Sequence, residues 1–127
     1  MKTIIIYSDR TLNLLGWFMK IKGITLWPFI ILRERLNTPR YKNLHSTKRT
    51  INHESIHIKQ QQELLLIPFY VLYVFFYLWN IVKYGFDTKE AYYNIPFEKE
   101  AFKHDDDFNY LENRSLYSWV KFIYNKE

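Results

Sequence analysis

Two histidines separated by three residues constrain this chain more than any other feature. They lie in Asn52-His53-Glu54-Ser55-Ile56-His57-Ile58-Lys59-Gln60. At 3.6 residues per turn, an α-helix places His53 and His57 one turn apart and roughly 40° apart around its axis. Two imidazoles so placed can share one tetrahedral Zn²⁺, with positions left for a third protein ligand and a water. Glu54 projects beside the pair, where its carboxylate can take a proton from a water held by that ion. The stretch therefore predicts a zinc-dependent hydrolase site, with His53 and His57 as metal ligands and Glu54 as the catalytic base.

The chain contains no cysteine, so zinc must be held by histidine and carboxylate. The candidate third ligands after His57 are Glu63, Glu90, Glu98, Glu100, Asp105, Asp106, Asp107 and Glu112. Glu63 lies six residues beyond His57, an offset that points it away from the metal face of the helix. Glu98 and Glu100 lie near the start of a short predicted helix, Ile95-Pro96-Phe97-Glu98-Lys99-Glu100-Ala101-Phe102, whose small Ala101 permits close approach to the histidine helix. Spacing leaves both glutamates open as the third ligand.

The histidine helix, the later Glu98-Lys99-Glu100-Ala101 and the upstream Trp27-Pro28-Phe29 together resemble the glutamate-type zincins, or gluzincins. The chain is most similar to the peptidase domain of membrane-bound β-lactam sensors and, more distantly, to the CAAX-prenyl endopeptidases. The resemblance covers roughly residues 24–104. In those families a Glu-x-x-Ala-Asp segment supplies the third ligand from its first glutamate, which corresponds here to Glu98, with Ala101 at the alanine. The resemblance thus implies a zinc peptidase acting on a peptide or protein substrate, with Zn²⁺ on His53, His57 and Glu98. Phe102 stands at the position of the family aspartate, a residue that ordinarily buttresses a metal histidine.

At 127 residues the chain is expected to form a single domain, residues 1–127. Aromatic residues make up 20% of it against 3 Gly and 4 Pro, which favours a helix-rich body over a turn-rich β-sandwich. The expected fold is α+β and predominantly helical: a minimal zincin-like metallopeptidase core with a few short N-terminal strands. The net charge of +5 is unevenly spread, with 11 Lys/Arg against 3 Asp/Glu in residues 1–60 and 7 against 10 thereafter. The basic residues are dispersed and no nucleic-acid motif accompanies them, so a nucleic-acid partner is not expected.

Residues 3–7 form a short strand or an ordered tail, and residues 11–22 carry apolar positions at helical spacing. Residues 24–33 are rich in β-branched and aromatic side chains and are interrupted by Pro28, which restricts them to an edge strand or bulge. Such an edge beside the metal helix would align an extended peptide through main-chain hydrogen bonds. Residues 37–49 are polar and basic and are expected as a loop, with Thr47 or Thr50 capping the helix that follows from Ile51. Asp87 or Thr88 caps a further helix, and Pro96 opens another at its first position. Residues 104–107 should be a solvated acidic turn, with His45 and His104 facing solvent. Residues 110–124 form a closing amphipathic helix. Gln61 is placed to orient a ligand, and Tyr92, Tyr93 and Tyr110 are candidate donors to an oxyanion.

The nearly uninterrupted apolar run over residues 64–82 would span about 28 Å as helix, close to a bilayer's hydrocarbon thickness. A full span, however, would put His57 and Glu98 on opposite sides of the membrane. The return segment, with Asp87, Lys89 and Glu90, cannot sit unpaired in lipid. The run is therefore expected as core, with one face available to a peripheral membrane surface or a protein partner. For Glu98 to reach the histidines the long helix must bend, Pro68 being the expected place, or the chain must return extended. No signal peptide is recognisable, so the expected location is cytoplasmic, with this apolar run as the feature that would bring the chain to a membrane. The alternatives are a catalytically inactive zinc-binding regulatory or interaction protein, and a small membrane-associated protein whose His-Glu-x-x-His is accidental.

Overall fold

The computed structural model describes residues 3–15 and 23–124. Helices dominate and a three-stranded sheet forms the N-terminal part, so the fold is α+β and predominantly helical. The elements are β1 (Ile4–Tyr7), α1 (Asp9–Leu15), β2 (Gly23–Leu26), β3 (Phe29–Leu32), α2 (Pro39–Lys42), α3 (His45–Glu63), α4 (Ile67–Lys83), α5 (Thr88–Tyr93), α6 (Pro96–His104), α7 (Tyr110–Asn113) and α8 (Lys121–Tyr124). Of the helix expected over 11–22, α1 covers the beginning, and residues 16–22 lie outside those described.

Residues 24–33 differ from the single interrupted strand that their composition suggests. They form a hairpin, in which Trp27 and Pro28 make the turn and Leu26 pairs with Phe29. Proline is confined to the turn, where its missing N–H costs no ladder bond. The sheet order is β1-β3-β2, with β1 parallel and β2 antiparallel to the central β3. β2 is an edge strand and lies against α3.

The expected loop over 37–49 is mostly helical. A 3₁₀ turn at Glu34–Asn37 and α2 precede α3, which begins at His45 rather than Ile51. Neither threonine caps it: Leu44 is the N-cap residue and no side chain accepts there. Contacts from far along the chain take the place of a cap. Asn52 Nδ2 donates to the carbonyls of Asp105 and Asp107, at 2.9 and 3.1 Å. Arg49 Nε donates to Asp105 Oδ1 at 2.9 Å, and the His45 ring lies 2.6 Å from Asp106 Oδ1. The acidic turn is therefore not wholly solvated, because its Asp105 is buried.

The chain bends by 115° between α3 and α4. The bend falls at Leu64–Leu66, just before Pro68, which sits in the first turn of α4. Leu65 (φ 59°) and Leu66 (φ 69°) both adopt positive φ. Leu66 N–H donates back to the Gln61 carbonyl at 2.9 Å, closing the end of α3. Ile67 N–H then donates to the Leu65 carbonyl at 2.9 Å, a γ-turn centred on Leu66. Redirected in this way, α4 packs Phe69, Leu72, Tyr73 and Phe76 into a core with Ile95, Phe97 and Trp119. A second, smaller core joins Ile30 and Leu32 of β3 to Ile58 of α3.

The opposite face of α4 carries Ile67, Val71, Val74, Phe75, Leu78, Trp79 and Val82, each more than half exposed. Among the described residues nothing covers this face. Among the described residues no single helix is long and apolar enough to cross a membrane, and only the bent α3–α4 pair passes on length and composition.

Asp87 caps α5, accepting from Glu90 N–H, and Pro96 stands at the first position of α6, both as expected. The closing helix expected over 110–124 is broken instead into α7, a 3₁₀ turn at Ser118–Val120 and α8. The break is held at Arg114, whose guanidinium is buried between Glu63 and Glu100. Glu63 also accepts from the Tyr117 backbone N–H. Continuing one regular helix through this segment would sacrifice those bonds.

Candidate metal centre

α3 is buried mainly through polar side chains, on two adjacent faces. His53, His57 and Gln60 recur at helical spacing and face α6. Glu54, Ile58 and Gln61 form the neighbouring stripe and face the sheet. Each of these five polar side chains has a partner, which is what lets this part of the helix occupy the middle of the molecule.

On the α6 side, His53 Nε2 lies 3.0 Å and His57 Nε2 3.1 Å from the same oxygen of Glu98, Oε1. All three residues are buried, and their donor atoms form a group that can hold a metal ion. Tetrahedral ligands at metal–ligand distances of about 2.0–2.1 Å are separated from one another by about 3.3 Å. The two Glu98 contacts fall just short of that spacing, and all three donor atoms lie within 4.8 Å of one another. The geometry brings Glu98 to the histidines and leaves Glu100 elsewhere. Glu100 is engaged with Gln60, Tyr110 and Arg114. Glu63, bound to Arg114, points away from the centre as its spacing implies.

The far side of each ligand is anchored. His53 Nδ1 lies 3.1 Å from Asp105 Oδ2, and His57 Nδ1 donates to Gln60 Oε1 at 2.7 Å. Both contacts leave Nε2 turned to Glu98. Gln60 is fixed in turn by donating to the Phe97 carbonyl and to Glu100 Oε1. Glu98 Oε2 accepts from Tyr73 O–H at 2.6 Å, leaving Oε1 for the histidines. Sequence reasoning missed Gln60 and Tyr73, and weighed Asp105 only as a third ligand, not as the partner of His53 Nδ1. That role could have been found: Asp105 lies two helical turns beyond Glu98 and so shares its face. Phe102, at the position of the family aspartate, packs its ring 4.4 Å from that of His53 instead. Nothing in the local sequence marks Tyr73, which reaches Glu98 only because α3 and α4 bend.

Electrostatics follow from this enclosure. Burial alone would lower the His53 pKa, but the hydrogen bonds to Asp105 and Glu98 and the charges of Glu98 and Glu54 together raise it to about 10. His57 is raised as well; burial opposes this, and the charge and hydrogen bond of Glu98 prevail. Glu98 moves the other way: despite burial, the two histidines hold its carboxyl well below the usual carboxylate range. Burial and the Glu98 charge push the Tyr73 and Tyr92 phenols upward, so both remain protonated donors.

On the sheet side, the Thr25 hydroxyl lies 2.9 Å from Glu54 Oε1 and 3.0 Å from the Glu54 carbonyl. Glu54 Oε2 lies 3.9 Å from His53 Nε2, beside the ligand pair as its spacing implies. Gln61, expected to orient a ligand, ties the helix to the edge strand instead. It donates to the Thr25 carbonyl at 2.9 Å and accepts from Trp27 N–H at 2.8 Å. The Thr25 carbonyl of β2 and the Trp27 N–H of the turn are therefore unavailable to an extended peptide. Of the candidate oxyanion donors, Tyr92 lies near the Glu98 charge, Tyr93 lines the cleft beside His53 and Glu54, and Tyr110 is bound to Glu100 away from the centre. His45 is exposed as expected; His104 is half-buried and stacks on Tyr110. No family model, curated protein or solved structure matches this chain.

Proposed function

We propose that this chain is a zinc-dependent metallopeptidase of the gluzincin type. The observation that carries the reading is the meeting of His53 Nε2, His57 Nε2 and Glu98 Oε1 across two helices, with the Glu54 carboxylate alongside. Two neutral imidazoles and one carboxylate are a donor set that zinc favours, with a coordination position left over. Zinc, when bound, supplies a Lewis acid that acidifies water and polarises a peptide carbonyl. The protein's part is positional and protonic. Asp105 and Gln60 hold the two imidazoles with Nε2 inward, and Tyr73 fixes Glu98. Thr25 aims the Glu54 carboxylate, which takes a proton from the attacking water and returns it to the leaving amine.

A catalytically silent zinc-binding regulatory or interaction protein is the second reading. Its support is the Gln61 side chain on the Thr25 carbonyl and Trp27 N–H, which occupies part of the edge a peptide would use. Metal analysis of protein purified without chelator, with His57→Ala and Glu98→Ala alongside, tests the centre. The wild type should carry one equivalent of zinc and both variants should lose it. Hydrolysis of a peptide mixture that disappears in Glu54→Gln, with zinc retained, supports the peptidase. Zinc without hydrolysis in either protein supports the silent reading.

A further inference from the structure

His53 and Glu54 open onto a cleft of about 530 Å³. Three arginines, Arg33, Arg35 and Arg49, are among the residues that line it. The acidic residues lining it are Glu54 and Asp105, and both are already committed. Glu54 is bound by Thr25, and Asp105 by His53 and Arg49. Arg49 uses only Nε on Asp105, and a guanidinium has further donors to offer. Arg33 is already engaged: its Nη1 donates to Asn13 Oδ1 at 2.7 Å and lies 3.8 Å from Asp9 Oδ1. Arg35 is exposed and, among the described residues, its side chain makes no hydrogen bond or ion pair. Tyr93, Leu36 and Leu44 supply aromatic and apolar surface between these cations. Few convergent charges on an otherwise apolar wall are what a site uses to select one functional group. Planar guanidinium forks suit a carboxylate in particular.

We propose that this arginine wall binds a carboxylate of the substrate, so that the peptides accepted are acidic next to the bond presented to Glu54. The inference rests on the peptidase reading for the identity of the ligand as a peptide. Two sources offer the same group: an Asp or Glu side chain, and a free chain terminus.

The test uses zinc-loaded Glu54→Gln protein, in which binding is read without turnover. Its probes are three nine-residue peptides: one amidated with a central Glu, its amidated Gln counterpart, and that Gln peptide with a free C-terminus. Isothermal titration should show the Glu peptide bound about tenfold more tightly than the amidated Gln peptide. The advantage should shrink at high salt and vanish in Arg35→Gln, an exposed position whose folding circular dichroism checks. An equal gain from the free C-terminus alone assigns the carboxylate to the chain end and upholds the wall. Equal affinities for all three, no binding of any, or an advantage that survives Arg35→Gln overturns it. Selective binding without cleavage by the wild type would leave the wall standing and remove the peptidase. Cleavage blind to charge would do the reverse.

Discussion

His53 is gripped from two directions, by Asp105 at Nδ1 and by Glu98 at Nε2, and this accounts for most of what a change at the centre would do. Asp105→Asn keeps the shape but removes the charge that sets the ring's tautomer. Zinc affinity should fall about 10- to 100-fold in a competitive chelator titration, with helix content unchanged. In the metal-free protein the same contacts make stability depend on pH. A histidine whose folded pKa is raised from 6.5 to about 10 binds more protons folded than unfolded between those values. Its contribution is complete below pH 6.5 and is lost as pH rises toward 10. Glu98, shifted downward, contributes above its ordinary value and loses that contribution only in stronger acid. Metal-free protein should therefore melt at progressively lower temperature from pH 6.5 to 10, a window followed by thermal denaturation in the presence of chelator. Zinc affinity should climb over the same window, because the ion displaces protons from both imidazoles. Flat melting temperatures across it would mean that the histidines are not paired with Glu98 in solution.

Among the elements, the joint between α3 and α4 matters most, since it returns the chain toward the histidines. Leucine is a poor residue at φ 59° and 69°, and each such position stores roughly 1–2 kcal/mol relative to glycine. Leu65 is 79% exposed, so its side chain contributes little burial that would justify the strain. Leu65→Gly should raise stability in urea denaturation by about 0.5–1 kcal/mol, the relieved strain exceeding glycine's entropy cost. The two faces of α4 should respond differently. Phe69→Ala empties the core beside Phe97 and should cost about 3–5 kcal/mol. Val74→Ser, on the uncovered face, should change stability by no more than about 0.5 kcal/mol. The helices themselves were legible: Asp87 and Pro96 opened α5 and α6 where their chemistry says they should. The early start of α3 was not, because it depends on Asn52, Arg49 and His45 reaching a turn some fifty to sixty residues away.

Across the whole molecule, the C-terminal segment and the metal centre are joined by one buried polar chain. Arg114 meets Glu63 and Glu100, Glu100 meets Gln60, and Gln60 holds His57. Arg114→Ala would leave two glutamates buried without their cation, at a cost of about 3–5 kcal/mol in denaturant titration. It should also weaken zinc binding, although Arg114 lies outside the ligand set. If this group binds zinc as proposed, the ion should act in the opposite sense, adding about 4 kcal/mol at a free concentration near 1000 times its dissociation constant. That gain should appear as a chelator-reversible rise in melting temperature, absent from His57→Ala.

Local rules alone determined that His53 and His57 share one face of a helix with Glu54 on the face beside it, because helical pitch depends on no distant residue. They also placed Glu98 on a short helix opened by Pro96. Only the tertiary structure decided between Glu98 and Glu100, put Asp105 where Phe102 could not serve, divided residues 24–33 into a hairpin, and enlisted Gln60 and Tyr73. The physical reason is the same each time. Buried polar groups take the partner that packing brings within hydrogen-bond range, and packing here depends on a 115° turn at three leucines that no propensity favours.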